Sequence, residues 1–385
     1  MEMQRKAMRF TLLNSTIHQY FITPLLRFLI LQAFLICLVL CSFAFPVYSG
    51  LRSVSPHKGT IAPAIEWIRS PDAAERKAHA SWCKGVGPPV ILNAPDRGQE
   101  AKRHDSLVIV SWNTHVGGAD LNAFIQDLRS GKLTSGEPIH DFVLLLQEVF
   151  REGERVPPSI LPDVPTGSPL RFTPTSGERL DIVRAARKHS LSLFYVPSIR
   201  NGRPEDGHGA EDRGNAILST IPLSSLTVVE LPHVRQRRLA IGANLSGETT
   251  AGSSWTIRVV SVHLENRAKW SEIFDSFGRA RLRQVKALVK AYSRKTPTIV
   301  GGDFNTWSDE GDESAIRYME QFYDRPAASS NFGTAKRSFL YPERMLDYLF
   351  FRIPKGWSGA YQRVDQLYGS DHYPLLGRVQ MGDRE

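Results

Sequence analysis

Cysteine is nearly missing from this chain: 385 residues contain three, Cys37, Cys41 and Cys83. The first two lie inside a long apolar run, which leaves one for the polar remainder. A disulfide framework and a thiolate metal site are therefore both excluded there. There is also no internal repeat and no low-complexity tract, so the chain does not read as a solenoid or a disordered array. A one-signed charge is missing where it would matter most. The formal net charge is +9, but residues 1–103 carry 13 Lys/Arg against 6 Asp/Glu, and the remainder carries 35 against 33. The basic excess thus belongs to the N-terminal extension and gives no argument for DNA binding by the rest. Nor is there the aromatic–basic alternation of a single-strand binder.

What is present is an ordinary globular composition, 42% hydrophobic and 23% charged, long enough for one large domain with extensions. Phe28 to Val47 forms an uncharged run of 20 residues, the length of a transmembrane helix. Arg5, Lys6, Arg9 and Arg27 precede it, and only Arg52 and Lys58 follow nearby. That asymmetry predicts residues 1–27 as a cytoplasmic basic N-terminus, 28–47 as a transmembrane signal anchor, and the bulk of the chain on the extracytoplasmic side. Val47-Tyr48-Ser49 before Gly50 offers a cleavage site, with secretion as the alternative, but the length of the run favours an uncleaved anchor. Residues 48–103, rich in Pro, Gly and charge, read as a linker or stalk with a short helix around 62–80.

From residue 104 to the C-terminus the pattern changes. Short apolar, β-branched runs read as buried strands at Leu107–Ser111, Phe142–Leu146, Leu191–Val196, Ala216–Ser219, Thr256–Val262, Thr298–Val300 and Tyr348–Phe351. Leu121–Arg129 and Ala280–Tyr292 keep apolar residues at helical spacing. Several of these segments end on a residue able to do chemistry: Asn113, Gln147-Glu148, His263, Asp303 with Asn305, and Asp371-His372 after a Gly-Ser turn. Residues at several strand ends can be held in fixed mutual positions by a rigid sheet edge, which is how active sites are commonly assembled.

In this order, SWNTHVGG, LLLQEVF, RGNAILS, VVSVHLEN, VGGDFNTW, MLDYLFF and GSDHYPL resemble the successive motifs of the endonuclease/exonuclease/phosphatase superfamily, over about residues 105–380. The resemblance implies an α/β (α+β) fold, a four-layered DNase I-like sandwich of two β-sheets flanked by helices, preceded here by one N-terminal transmembrane helix. It implies a metal-dependent phosphoric ester hydrolase in residues 104–385, using Mg²⁺ or Mn²⁺, and expected to work as a monomer.

Attack of water on a phosphoester needs charge neutralisation, an activated water and support for the leaving oxygen. Glu148, a hard carboxylate at a strand end, suits Mg²⁺, with Asn113 orienting it or the ion's water, and the resemblance implies Asp371 as a second metal-proximal carboxylate. The resemblance implies that Asp303 activates the attacking water and that Asn305 holds the nucleophile or a phosphate oxygen, with Phe304 anchoring the turn. His372 and Asp347 are expected to form a His–carboxylate pair, and His263 to face the phosphate. In the family this histidine is usually oriented by an acidic or tyrosyl group, for which Glu211 and Tyr195 are candidates. Arg213, Asn215 and Asn113 are candidate substrate-binding residues. For Arg213, a loop ion pair with Asp212 is an equal alternative.

The substrate is less legible. A phosphodiesterase or nuclease is the first reading, and a lipid or inositol-phosphate phosphoesterase, sphingomyelinase-like or a phosphatase, is the second. A catalytically silent binding module fits poorly, because every acid, base and metal position is filled. Arg235, Arg237, Arg238, Arg279, Arg281, Arg283 and Lys286 read either as a polyanion contact or as a solvated face, the latter being commoner. Arg267, Lys269 and Trp270, just after His263, are candidates for substrate or membrane contact.

Overall fold

In the computed structural model the residues described are 64–94, 104–153, 155–167, 179–203, 205, 209–266, 278–292, 296–306, 313–326, 333–336 and 343–382. Thirteen strands and five helices follow one another along them. They are β1 (Glu66–Ile68), α1 (Ala73–Cys83), β2 (Val90–Leu92), β3 (Ser106–Asn113), α2 (Leu121–Arg129), β4 (Phe142–Glu152), α3 (Ile182–Lys188), β5 (Ser192–Arg200), β6 (Glu211–Ser219), β7 (Ser224–Glu230), β8 (Leu239–Glu248), β9 (Ser254–His263), α4 (Arg279–Ala291), β10 (Thr298–Asp303), α5 (Ser314–Glu320), β11 (Asp347–Arg352), β12 (Ser358–Arg363) and β13 (Leu375–Gln380).

The strands make two sheets, one ordered β1-β7-β8-β9-β10-β11 and the other β12-β13-β3-β4-β6-β5-β2. Alternation along each central strand divides its side chains between two apolar layers. Leu107 and Ile109 of β3, Val143 and Leu145 of β4, Ile299 of β10 and Leu349 of β11 meet in a core between the sheets. Val108, Val110, Trp112 and Leu144 point the other way and pack with Phe124 and Leu128 of α2 and Ala185 of α3. On the far side, Val260, Val300 and Phe350 pack with Val285 and Leu288 of α4 and Ile316 of α5. Two sheets, each covered outside by helices, give the four-layered sandwich that the sequence implied. Strands covered on both faces have no solvent side, so they read as unbroken apolar runs.

The helices begin where side chains can serve free backbone donors. Asp120 accepts from the Ala123 N–H at the start of α2, and Asp181 from the Val183 and Arg184 N–H groups at the start of α3, each cap contributing about 1 kcal/mol. Helices α2 and α4 are crossover connections. β3 pairs in parallel with β4, and β9 in parallel with β10. Parallel partners finish on the same edge of their sheet, so Asn113 and Gln147 share an edge of the second sheet, and His263 and Asp303 share an edge of the first. Gly301 lets the sheets close up there: a Cβ on it would lie 2.9 Å from Leu145 Cδ1 and 3.0 Å from Ser111 Cβ of the opposite sheet.

The stalk expected over residues 48–103 does not hold for its described part. Glu66–Ile68 is a strand, not helix, and adds to β7 at one edge of the first sheet, while Val90–Leu92 adds to β5 at one edge of the second. The helix between them starts only after Pro71, with Asp72 accepting from Glu75 N–H. Three-residue edge strands in a Pro-rich context carry little sequence signal, yet they cover edges that would otherwise be open. The segment is held by a buried pair: Arg151 donates to Asp212 through Nε at 3.0 Å and to the Pro88 carbonyl, and Gly87 N–H donates to Asp212 as well. No helix among the described residues is long and apolar enough to cross a membrane. The apolar run 28–47 lies outside them.

Candidate active site

Three candidate site residues form one row across the first sheet. Asp303, the last residue of β10, is in register with His263 at the end of β9 on one side and with Asp347 at the start of β11 on the other. From the second sheet Asn113 crosses over and donates through Nδ2 to Asp303 Oδ2 at 3.0 Å. The other oxygen, Oδ1, accepts the Asn305 N–H at 2.8 Å. His263 Nε2 lies 3.5 Å and His372 Nε2 3.9 Å from Asp303 Oδ2. One carboxylate oxygen is thus flanked by two imidazoles and an amide.

His372 enters on the loop before β13, which is tied down from several sides. Trp112 Nε1–H donates to the His372 carbonyl, Ser370 Oγ–H to the Asn113 carbonyl, and His372 N–H to Ser370 Oγ. Its Nδ1 lies 2.7 Å from Asp347 Oδ2, the His–carboxylate pair expected from the sequence. Asp347 is held in turn by Thr334, whose hydroxyl oxygen accepts the Leu346 and Asp347 N–H groups. Asn305 has a positive φ of 51° and donates one amide hydrogen to the Leu264 carbonyl, leaving the second. Phe304 anchors this turn, fully buried against Tyr348 and Phe350.

Burial and neighbours push these groups apart electrostatically. Desolvation raises the Asp303 carboxyl to about 7, helped by the nearby Asp347 charge and opposed by His372 and the bond from Asn113. Burial opposes charge on His372, but the Asp347 and Asp303 carboxylates outweigh it and raise its pKa well above the ordinary histidine value. His263 goes the other way. Burial, then the Arg238 guanidinium, lower it well below that value. The two histidines beside one carboxylate therefore favour opposite charge states.

Glu148 sits at an irregularity of β4, where the pairing with β6 slips between Leu146 and Val149. Its φ is +52°, a strained conformation for a side chain that long and of the kind seen where a bulge re-aims a functional group. The carboxylate is half-buried and makes no hydrogen bond among the described residues. The donor set fits a hard divalent cation on several observations. Glu148 makes no hydrogen bond among the described residues, Asp347 Oδ1 is buried without a hydrogen-bond partner, and Asp303 and Asp347 bring carboxylate oxygens within 4.8 Å of one another.

The remaining expectations fare differently. Asp371 is 53% exposed at its side chain and lies 3.7 Å from His115 Nδ1, outside the buried cluster. Asn215 is buried, and its amide donates to the Leu239 and Ser261 carbonyls. It is a brace between the sheets, so its reading as a substrate contact gives way to a positioning one. Arg213 is half-buried and is not paired with Asp212, whose carboxylate is taken by Arg151 and by the Tyr195 hydroxyl at 2.7 Å. Neither Tyr195 nor Glu211 orients His263: the first serves Asp212 and the second pairs with Arg179. His263 Nδ1 instead meets Arg238 Nη1 at 3.0 Å.

The basic set around α4 and β8 divides: Arg237, Arg238 and Arg281 are buried, the last against Glu313, whereas Arg235, Arg279, Arg283 and Lys286 are exposed. Arg267, Lys269 and Trp270 lie outside the described residues. Sequence reasoning missed Trp112, Ser370 and Thr334 as supports, and Arg238 as a partner. Arg238 immediately precedes β8, which starts at the site's edge beside the end of β9, but that strand is not legible in the sequence and a run of three arginines in four residues reads first as surface charge.

The sequence model of the Endonuclease/Exonuclease/phosphatase family matches residues 110–372. No curated protein matches the chain. Among solved structures, an endonuclease/exonuclease/phosphatase from Beutenbergia cavernae is similar at 17% identity and TM-score 0.46, covering 72% of each chain. The human Nocturnin catalytic domain is similar at 17% identity and TM-score 0.45, covering 76% of this chain and 96% of that one. A truncated Caenorhabditis elegans TDP2 is similar at 14% identity and TM-score 0.40, covering 73% and 99%.

Proposed function

The chain belongs to the endonuclease/exonuclease/phosphatase family, a family of phosphoester hydrolases, and from that premise we propose that it is a membrane-anchored, Mg²⁺-dependent phosphodiesterase of the nuclease type. The observation that carries the chemistry is the Asp303 carboxylate, buried, pushed up to about 7, and flanked by His263 Nε2 and His372 Nε2. A bound divalent ion would supply charge neutralisation at the phosphate, and Glu148, whose carboxylate makes no hydrogen bond among the described residues, is the group available to hold it.

The protein's own residues do the rest. A base with a pKa near the working pH combines an adequate ionised fraction with proton affinity, which suits Asp303 to take a proton from the attacking water. Asn113 and the Asn305 N–H keep that carboxylate aimed. His372, charged against Asp347, offers Nε2–H to a phosphate or leaving-group oxygen. Arg213, half-buried near His263 and Arg238, supplies a guanidinium for the phosphate.

The anchor reading rests on the uncharged length of residues 28–47 and on the basic residues before it, and it puts the active domain on the extracytoplasmic side. The same run favours one second reading, hydrolysis of lipid headgroup phosphodiesters. Plasmid DNA, sphingomyelin vesicles and inositol phosphates, incubated side by side with the purified chain and Mg²⁺, separate the two. Nicked plasmid supports the nuclease reading, and cleavage of sphingomyelin alone replaces it with the lipid one. Protease accessibility in intact cells or protoplasts tests the topology; a domain reached only after the membrane that holds the anchor is breached argues against it.

A further inference from the structure

Both histidines beside Asp303 present Nε2 to it, but opposite charges stand behind them. His372 Nδ1 is backed by the Asp347 carboxylate at 2.7 Å, and His263 Nδ1 by the Arg238 guanidinium at 3.0 Å. A guanidinium has five N–H donors and no acceptor. The contact is therefore made with Arg238 donating and His263 Nδ1 accepting. An imidazole that accepts at Nδ1 carries its hydrogen on Nε2, the atom 3.5 Å from Asp303 Oδ2.

We propose that Arg238 is a positioning residue that locks His263 in the Nε2–H tautomer, leaving it one fixed N–H donor aimed into the reaction centre. This inference rests on the phosphoester-hydrolase reading of the site. It differs from the acidic or tyrosyl partner that the family resemblance implied. Arg238 itself is built in: it is 4% exposed, and its Nη2 lies 3.9 Å from Glu265 Oε1. Glu265 is fixed by its surroundings, accepting the Arg235 and Gln236 N–H groups on Oε2 and the Asn266 N–H on Oε1. Gln284 of α4 accepts the Glu265 N–H at 2.9 Å. A carboxylate held by backbone thus holds a guanidinium, which in turn holds an imidazole. A buried arginine with its nearest carboxylate nearly 4 Å away is a costly arrangement for stability alone. Arg238 is also enclosed, whereas Arg213, half-buried, is the arginine open to a phosphate.

Nitrogen-15 NMR of the histidine-labelled chain tests this directly, with His263→Gln used to assign the signal. The lock predicts a proton on Nε2 and none on Nδ1 of His263, and loss of that single pattern in Arg238→Met. A proton on Nδ1 in the wild-type chain overturns it. In kinetics, Arg238→Met is expected to lower kcat by roughly 10- to 100-fold with KM nearly unchanged, and Arg238→Lys, which keeps a donor, to recover part of it. Equal loss in both variants, or a loss seen only in KM, contradicts the lock. If Arg238→Met does not fold, the wild-type spectrum and Arg238→Lys still decide. The spectrum needs no turnover, so a chain inert toward every phosphoester would sink the functional reading without touching the tautomer result.

Discussion

Asp303 and Asp347 stand directly opposite one another across the β10–β11 ladder, and His372 closes the pair by reaching Asp347 with Nδ1 and approaching Asp303 with Nε2. With Asp303 pushed up to about 7, kcat/KM is expected to rise with pH through about 7 as the base ionises. The descending limb is expected well above the ordinary histidine range, because Asp347 and Asp303 together hold the proton on His372. Asp347→Asn removes one of those carboxylates, so the descending limb moves to lower pH. A profile with both limbs unmoved in that variant contradicts the assignment. The same raised pKa has a stability counterpart. The stabilisation from charged His372 is complete below the ordinary histidine pKa and fades as pH rises through its higher folded value, so melting points of wild type and Asp347→Asn converge on the alkaline side.

Glu148 holds a positive φ, and on the proposal that it ligates the ion, stability and activity should part company there. Glu148→Gly relieves strain of roughly 1–3 kcal/mol, partly offset by glycine's greater chain entropy when unfolded. The variant is expected to melt no lower than wild type, while the Mg²⁺ concentration for half-maximal rate rises on the order of 10-fold or more. A large drop in melting temperature with an unchanged Mg²⁺ requirement argues against Glu148 as the ion's ligand.

Legibility in the sequence tracked burial on both faces. β3, β4, β9, β10 and β11 sit inside their sheets or under helices, so FVLLL and TIV announce themselves. β8 lies equally deep, with Leu239, Ile241, Ala243 and Leu245 all in the inter-sheet core. It was not legible because its other face carries Gly242 and Asn244, which break the apolar run. Gly242 is there for Tyr292, whose hydroxyl would lie 2.8 Å from an added Cβ. β1, β2 and β12 are edges, short or polar, and offer almost no pattern. At the site, residues on strand ends were legible because each borders an apolar run. What stood behind them was not: the partner of His263 comes from the residue just before a different strand, and only the β8–β9 pairing brings Arg238 to it.

Gly301 fixes how closely the sheets approach at the site. Gly301→Val puts methyls into Leu145, Leu349 and Ser111, an overpacking expected to destabilise by about 1–3 kcal/mol. The larger effect should be on rate, since a shift of about 1 Å between Asn113 and Asp303 can lower activity on the order of 100-fold. Denaturant unfolding and kcat measured on the same sample separate the two losses, and a variant with wild-type kcat would show that sheet spacing does not set the geometry.

The N-terminal edge segment depends on Asp212. Asp212→Ala leaves Arg151 buried, 3% exposed at its side chain, with its carboxylate gone, which should lower stability by roughly 3–5 kcal/mol. Residues 85–90 should then become open to proteolysis before the rest of the domain. Cleavage there at the wild-type rate would mean that the segment is held by something else.

The central claim is that one buried carboxylate, with a divalent ion beside it, drives phosphoester hydrolysis. It is tested by following hydrolysis of a chromogenic phosphodiester by the full chain in detergent before EDTA, after EDTA, and after Mg²⁺ is restored, with Asp303→Ala and His372→Ala alongside. The expected result is loss with EDTA, recovery with Mg²⁺, and a fall on the order of 100-fold or more in each variant. Turnover that survives EDTA, or that persists at the wild-type rate in either variant, contradicts the account.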